Sequence, residues 1–231
     1  MSTYYGATLK NDTSLDTGGT SVTFSHDNGS GSDRVSYVYV CYRGGSGHTV
    51  SGVTINSVSM DSLGARVASG AIYIQGWKLE NPASGSQTVS VQHGGGAAAV
   101  SCCIVAISLY DNDQSTIYEN YTTASGADAS SPIEADITVT SATGDLVIAA
   151  AGIDQNRTWT VDGTGQVDRA SGVNTTDGNC GICVATGPGA ASVLMELTAN
   201  GYMNYATLGL STLAAESGLS IPIAMSSYKQ Q

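Results

Sequence analysis

The stretch "VSYVYVCY", residues 35–42, decides how the fold of this chain is predicted. In an extended chain, successive side chains point to opposite faces, so residues two apart share a face. One face carries Val35, Tyr37, Tyr39 and Cys41, and the other carries Val38, Val40 and Tyr42. Because both faces are apolar or aromatic, the pattern predicts a central strand that is covered on both sides.

A second stretch, "IEADITVT" at 133–140, shows the half-exposed version of the same period. Its odd-numbered residues are Ile, Ala, Ile and Val, and its even-numbered residues are Glu, Asp, Thr and Thr. This alternation is typical of an antiparallel strand with one face in solvent. Further strands are predicted at 20–25, 53–60, 71–79, 87–93, 98–110, 145–153, 157–162, 180–186, 191–198 and 204–213.

The composition favours many short strands joined by turns. The 231 residues include 29 Gly, and only 12% are charged. Gly-, Asn- and Asp-rich segments such as "NGSGSD" and "VDGTG" separate the strand patterns. No window carries a convincing helical stripe, the best being the short "LAAESGL" near the end, and we see no internal repeat.

These patterns predict an all-β protein, a two-sheet antiparallel β-sandwich with irregular N- and C-terminal arms. We expect the sandwich domain at 20–215, the N-terminal arm at 1–19 and the C-terminal arm at 216–231. The first segment is polar and irregular, and the last loses regular alternation and carries Pro222.

The net charge of −11 argues against two classes of partner. Nucleic acid and anionic membrane surfaces both need clustered cations, whereas the eight Lys and Arg residues are scattered. The N-terminal residues lack the apolar core of a secretory signal, so we expect synthesis in a cytoplasm. The most apolar stretch, "AAAVSCCIVAI" at 97–107, is far shorter than the ~20 residues of a membrane-spanning helix.

The five cysteines read as buried, reduced thiols. Cys180 and Cys183 have C-x-x-C spacing, but residues three apart on a strand point to opposite faces. The adjacent Cys102 and Cys103 diverge for the same reason. The remaining cysteine, Cys41, lies on the central strand. An odd count without a signal argues against a disulfide framework.

Other reactive residues form no recognisable constellation. His26, His48 and His93 lie in or beside turn-rich segments, where we expect them on the surface. Glu134 and Asp136 share a strand face at roughly 6.6 Å between Cα atoms, so a glycosidase pair is not excluded by distance. A solvated strand face is the favoured reading of the two, and we predict no catalytic, cofactor-binding or metal residue.

Calcium is the one metal for which the sequence offers ligands. In "YDNDQSTIYEN", Asp111, Asp113 and Glu119 supply hard oxygen atoms, but the spacing of an EF-hand loop is missing. A turn built on Asx side chains is the favoured alternative.

Aromatic residues are the remaining candidates for recognition. Trp77 lies in a strand pattern and is predicted in the core, and Trp159 is a weaker prediction of the same kind. Tyr202 and Tyr205 in "YMNY" are candidates for exposure, where tyrosines can stack on sugars or anchor interfaces.

Several segments occur in an order that resembles a known group of domains. They are "SDRVSYVYVCYRGG", "VSGVTINSVSM", "WKLENPASGSQTVSVQ", "SLYDNDQSTI", "VTSATGDLVIAA", "GQVDRASG", "PGAASVLMEL" and "YATLGLSTL". Together, over roughly residues 18 to 215, they resemble a family of jelly-roll-type β-sandwich domains in bacteriophage particle proteins and bacterial surface proteins. The "CGIC" segment departs from the pattern. The resemblance carries no catalytic signature and assigns no site residue.

The resemblance implies a virion structural protein of a phage, a capsid decoration or cement protein that binds the major capsid protein and stabilises the shell. From that reading we expect a homo-oligomer, with a trimer as the natural guess. We also expect a location in the virion after synthesis in the host cytoplasm. The alternative is a carbohydrate-binding or receptor-binding module of a tail or surface component. A glycoside hydrolase or lyase is the third hypothesis, and the favoured reading is not an enzyme.

Overall fold

A computed structural model describes residues 2–12, 21–45, 47–94, 101–128, 131–175, 180–201 and 203–215. Within these ranges the chain is all-β without helices, and 66% of it is strand. Every strand pair is antiparallel. The predicted fold class is therefore confirmed at this level.

The strands fall into two series that are separated by the linker 111–118. The N-terminal half contains β1 (Thr3–Asp12), β2 (Ser21–Asp27), β3 (Val35–Arg43), β4 (Thr49–Ile55), β5 (Val58–Ser59), β6 (Asp61–Ser62), β7 (Val67–Ser69), β8 (Ile72–Glu80), β9 (Ser86–Gly94) and β10 (Ser101–Tyr110). The C-terminal half contains β11 (Glu119–Asp128), β12 (Ile133–Glu134), β13 (Ile137–Val139), β14 (Leu146–Ile153), β15 (Trp159–Val161), β16 (Val167–Asn174), β17 (Cys180–Pro188), β18 (Val193–Met195), β19 (Leu197–Ala199) and β20 (Met203–Thr212).

Each half builds one inner and one outer set of strands. The inner sheets have the orders β1-β10-β3-β8-β6, with β7 also on β8, and β11-β20-β14-β17-β16. The outer strands have the orders β2-β9-β4-β5 in the first half, and β12-β19-β15 with β13-β18 in the second.

Three hydrophobic layers separate these sheets, so the structure is a stack of four layers and not the two that the sequence predicted. The middle core lies between the two inner sheets and includes Tyr39 and Ile148. A second core, with Val40 and Val89, lies between the first inner sheet and its outer sheet. A third, with Ala149 and Met195, does the same in the C-terminal half.

The strand order repeats between the halves. Replacing β1, β10, β3 and β8 by β11, β20, β14 and β17 converts one inner order into the other. The contacts between the two inner sheets follow the same correspondence. Strand β1 contacts β16, and its counterpart β11 contacts β7. Strand β10 contacts β17, and its counterpart β20 contacts β8. The halves are thus related by an approximate two-fold axis beside β3 and β14, which contact each other. This repeat lies in the strand order and the contacts, whereas no internal repeat was found in the sequence.

Most of the strand predictions are confirmed, but 53–60 spans the turn between β4 and β5, and 133–140 and 191–198 each divide into two short strands. Strands β1, β6, β7, β11 and β16 were not predicted. All eight residues of "VSYVYVCY" are buried, because β3 lies inside the stack with a core on each face. In the 133–140 segment, Ile133, Ala135, Ile137 and Val139 are buried and Glu134, Thr138 and Thr140 are exposed.

The predicted irregular N-terminal arm is wrong over residues 3–12, which form edge strand β1 against β10. The rest of that arm, residues 13–19, and the predicted C-terminal arm at 216–231 lie outside the described residues.

Candidate functional site: the linker pole and a buried thiol cluster

The linker between the halves holds both ends of the described chain at one pole. Asn112 is fully buried; its amide donates to the Ile117 carbonyl at 3.1 Å and its Oδ1 accepts from the Ser2 hydroxyl at 2.9 Å. Ser2 also donates to the Leu213 carbonyl at 2.7 Å, and the Ala215 amide donates to the Asp111 carbonyl at 2.8 Å. We call the surface formed by Ser2, Asp33, 111–115 and 213–215 the linker pole.

The linker pole is acidic and concave. An open cavity of about 520 Å³ is lined by Asp33, Asn112, Asp113, Gln114, Ser115 and Ala215. Two of its aspartates have left-handed backbone, with φ of 48° at Asp33 and 55° at Asp111. Such φ values are uncommon outside glycine, and here cross-loop bonds hold them: the Asp111 amide donates to Ser32 and the Asn112 amide to Asp33.

The three calcium candidates do not converge. Asp113 Oδ1 accepts from the Ser115 amide and hydroxyl, each at 2.7 Å, which is the Asx turn. These hydrogen bonds lower the pKa of Asp113. Asp111 is exposed, and Glu119 lies at the start of β11. Across the described ranges, no group of three or more His, Cys, Asp or Glu side chains is placed to hold a metal ion.

His26 and His48 are buried, so the expectation of surface histidines is wrong for both. The two ring nitrogens of His26 lie 2.9 Å from the Thr8 and Ser108 hydroxyls, which links β2 of the outer sheet to β1 and β10. Burial lowers the pKa of His26 to about 4. The side chain of His93 lies outside the described residues.

The cysteines diverge within each sequence pair, as predicted. Cys180 belongs to the middle core and Cys183 to the third core, and Cys103 and Cys102 likewise face different cores. All five are buried thiols.

The sequence did not predict that three thiols far apart in the chain meet in the middle core, at the pole opposite the linker. Cys103 Sγ lies 3.4 Å from Cys180 Sγ, and Cys41 donates to the Gly181 carbonyl at 3.4 Å. Cys41 and Cys103 are directly paired across β3 and β10, so their proximity follows from that register. Cys180 comes from the facing sheet, and no local signal predicts that contact. We call Cys41, Cys103 and Cys180 the thiol cluster.

The pKa of Cys180 is lowered, in contrast to those of the other two thiols. Its side-chain hydrogen bonds with Cys103, Cys41 and Ser101, together with the charge of Arg43, lower this pKa against the opposing effect of burial. The pKa of Cys103 is raised by its hydrogen bond to Cys180 and by burial, and that of Cys41 is raised chiefly by burial.

Of the two carboxylates on β12 and the following loop, Asp136 holds part of the fold together. Asp136 accepts from the Leu197 amide at 2.9 Å, which ties the loop to β19. Its pKa is raised, first by burial and also by the neighbouring carboxylates Glu134, Glu196 and Asp162. Glu134 is exposed on the outer face.

The tryptophans are core residues, and an exposed tyrosine lies elsewhere than predicted. Trp77 and Trp159 are buried, the first as expected and the second confirming the weaker prediction. Tyr205 is half-buried, and Tyr202 lies outside the described residues. Tyr5, 42% exposed, is the extra residue of a bulge in β1; its hydroxyl donates to Asp27 at 3.1 Å.

Comparisons with protein families, with curated proteins and with solved structures find no match for this chain. In the described part of the chain no helix is of the length and apolarity required to cross a membrane.

Proposed function

We propose that this chain is a structural protein of a bacteriophage particle, a capsid decoration protein that binds the shell through its linker pole. Each half would be one jelly roll. The order β1-β10-β3-β8 facing β2-β9-β4-β5 supports this, because the first strand of the half pairs with the last, β1 with β10, and the second pairs with the one before the last, β2 with β9.

The convergence of the chain at the linker pole is the observation that carries the proposal. Ser2, Asn112 and Leu213 are joined by hydrogen bonds there, so both ends of the described chain lie beside the linker. A partner bound at this pole would contact the linker and the neighbouring chain of both halves at once.

The charge of the pole favours a basic partner surface. Asp33, Asp111 and Asp113 all lie at the pole, in a chain whose net charge is −11. Such a patch steers association with a positively charged surface and makes it sensitive to salt. The proposed partner is the major capsid protein, with the decoration protein assembled as a homo-oligomer, a trimer in the simplest arrangement.

A binding role also fits the way this molecule uses its polar groups. His26 bonds two hydroxyls across sheets, and Asp136 bonds a backbone amide. Both groups are occupied in holding strands together, which supports a scaffold in preference to acid–base chemistry.

Quantitative mass spectrometry of purified phage particles tests the proposal. We expect the chain at a fixed copy number on the shell and its release as salt is raised. The variant Asp111→Lys should weaken rebinding to stripped particles at least tenfold, whereas Glu134→Lys, on an outer sheet, should rebind normally. Deleting residues 217–231 should leave a folded domain that binds less well. Absence of the chain from particles, or equal rebinding of both charge variants, would refute it.

A second function, carbohydrate or receptor binding, is favoured by one surface. The rings of Tyr5 and Tyr110 lie edge to face with centroids 6.5 Å apart, and they cover Gly29 and Gly31. The exposed ring of Tyr5 is suited to stack on a sugar ring, and the neighbouring Asp27 carboxylate is suited to accept hydrogen bonds from the sugar hydroxyls. On a glycan array, binding that Tyr5→Ala abolishes would support this function, and an array without signal would remove it.

A further inference from the structure

We propose that the thiol cluster is an oxidative modification site, in which a hydroperoxide oxidises Cys180 and Cys103 then forms a disulfide with it. The cross-link would join the two halves of the molecule. The proposal concerns the chain alone and holds whichever partner the linker pole binds.

The two sulfur atoms are in contact. Their separation is 3.4 Å, and a disulfide needs about 2.05 Å. Cys103 lies on β10 and Cys180 on β17, two strands that pack against each other across the middle core. The two sulfur atoms therefore need to approach by little more than an ångström.

The sulfur atoms are not required by packing. On β3, Cys41 pairs with Cys103 on one side and Ile74 on the other. On β14, Gly152 pairs with Ala206 and Ile182 in the same arrangement. The approximate two-fold axis therefore relates Cys41 to Gly152 and Cys103 to Ala206. The same axis relates Ile74 on β8 to Ile182 on β17. Two residues earlier on each strand, it relates Ile72 to Cys180. The equivalent side of the axis thus packs with Gly152, Ala206 and Ile72. The three thiols are a departure from the repeat, confined to one side.

Polar groups surround the thiol side. The Ser101 hydroxyl lies 3.6 Å from Cys180 Sγ, and the positive charge of Arg43 acts on the same sulfur. Arg43 also lines an open cavity together with residues 154–157. Cys180 itself is fully buried, so the proposed oxidant is small.

The chemistry balances in two steps. The Cys180 thiolate attacks one oxygen of the hydroperoxide, the O–O bond breaks, and the departing oxygen leaves as water or an alcohol after taking a proton. Cys103 sulfur then attacks the sulfur of the Cys180 sulfenic acid, and its proton leaves with the hydroxyl as water. Two thiols are oxidised to one disulfide, and one hydroperoxide is reduced.

Peptide mapping of the folded chain after exposure to millimolar hydrogen peroxide tests the proposal. We expect a linked Cys103–Cys180 peptide that a phosphine reductant removes, and a melting temperature higher by roughly 10 °C, since a long loop is closed. Dithiobis(nitrobenzoate), which is bulkier, should react at least tenfold more slowly than peroxide. In Cys103→Ser, dimedone added together with denaturant after the peroxide is removed should label Cys180 as a sulfenic acid.

Cys102→Ser is the matched control, because its thiol faces a different core and its loss should leave the cross-link intact. Unmodified Cys180 in folded, peroxide-treated wild-type protein would overturn the proposal. A Cys41–Cys180 bond in place of the expected one would overturn the assignment of Cys103. The wild-type map decides the question even if a serine variant fails to fold.

Discussion

Replacing Gly152 by alanine tests the packing of the two halves at the approximate axis. A Cβ on Gly152 would lie 2.5 Å from Cys41 Sγ and 3.4 Å from Cys41 Cβ, and ordinary contacts begin near 3.4 Å. Cys41 has little room to move, because it is fully buried and donates to the Gly181 carbonyl. Overpacking of this kind costs about 1–3 kcal/mol. For a chain of this size, that corresponds to a fall in melting temperature of roughly 2–12 °C.

Urea and thermal unfolding of Gly152→Ala, with Gly6→Ala as the control, measure this cost. Gly6 lies in β1, and a Cβ there would meet nothing within 4 Å, so its substitution should be close to neutral. Adding Cys41→Ala to Gly152→Ala removes the clashing sulfur and should recover most of the loss. Equal stability of the two glycine variants, or effects of the Cys41 and Gly152 substitutions that simply add, would refute the packing described at this axis.

Three further predictions concern other parts of the fold. Burial lowers the pKa of His26 from 6.5 to about 4, so the unfolded chain binds the proton more tightly than the folded chain does. The free energy of unfolding should therefore fall by up to about 3 kcal/mol as the pH drops from 6.5 to 4. Urea titrations of His26→Gln should show a weaker dependence of this free energy on pH. Asn112→Ala leaves buried hydrogen-bond partners unsatisfied and should lower the free energy of unfolding by about 2–4 kcal/mol. Amide hydrogen exchange at 111–118 should become faster, and unchanged exchange there would contradict the role of Asn112 in the linker. Trp77 and Trp159 are both buried, so native emission should be blue-shifted and poorly quenched by iodide, and strong quenching would place one of them in solvent.

The sequence predicted local strand structure well because the alternation of side chains is a local property. It also contained evidence against two layers. A strand that is apolar on both faces, as at 35–42, needs a sheet or other cover on each side, whereas each sheet of a two-layer sandwich has one face in solvent. The buried strand 146–153 repeats this pattern, and together the two strands indicate inner sheets.

The contacts that matter most for the candidate sites were beyond such reasoning. The meeting of Cys180 with Cys103 depends on how two sheets stack, and sheet stacking is not encoded by spacing along the chain. The repeat was hidden for a related reason: corresponding strands share position and burial while their residues differ, as Cys41 and Gly152 do. Polar burial was missed as well, because His26 is satisfied by hydroxyls that lie on other strands.

The approximate symmetry also bears on where a partner binds. The first residue of β3, Val35, pairs with Leu109, which lies beside the linker. The first residue of β14, Leu146, pairs with Thr212, close to the bridge between Ala214 and the linker residue Asn112. Strands β3 and β14 therefore start at the same pole. Loops of both halves are therefore presented together there. The linker 111–118 has no counterpart under the two-fold axis, since it occurs once between the halves. A partner that contacts the linker pole thus meets a surface on which the two halves are distinguishable. Binding there would fix one orientation of an otherwise nearly two-fold body, as the proposed attachment to a specific position on a shell requires.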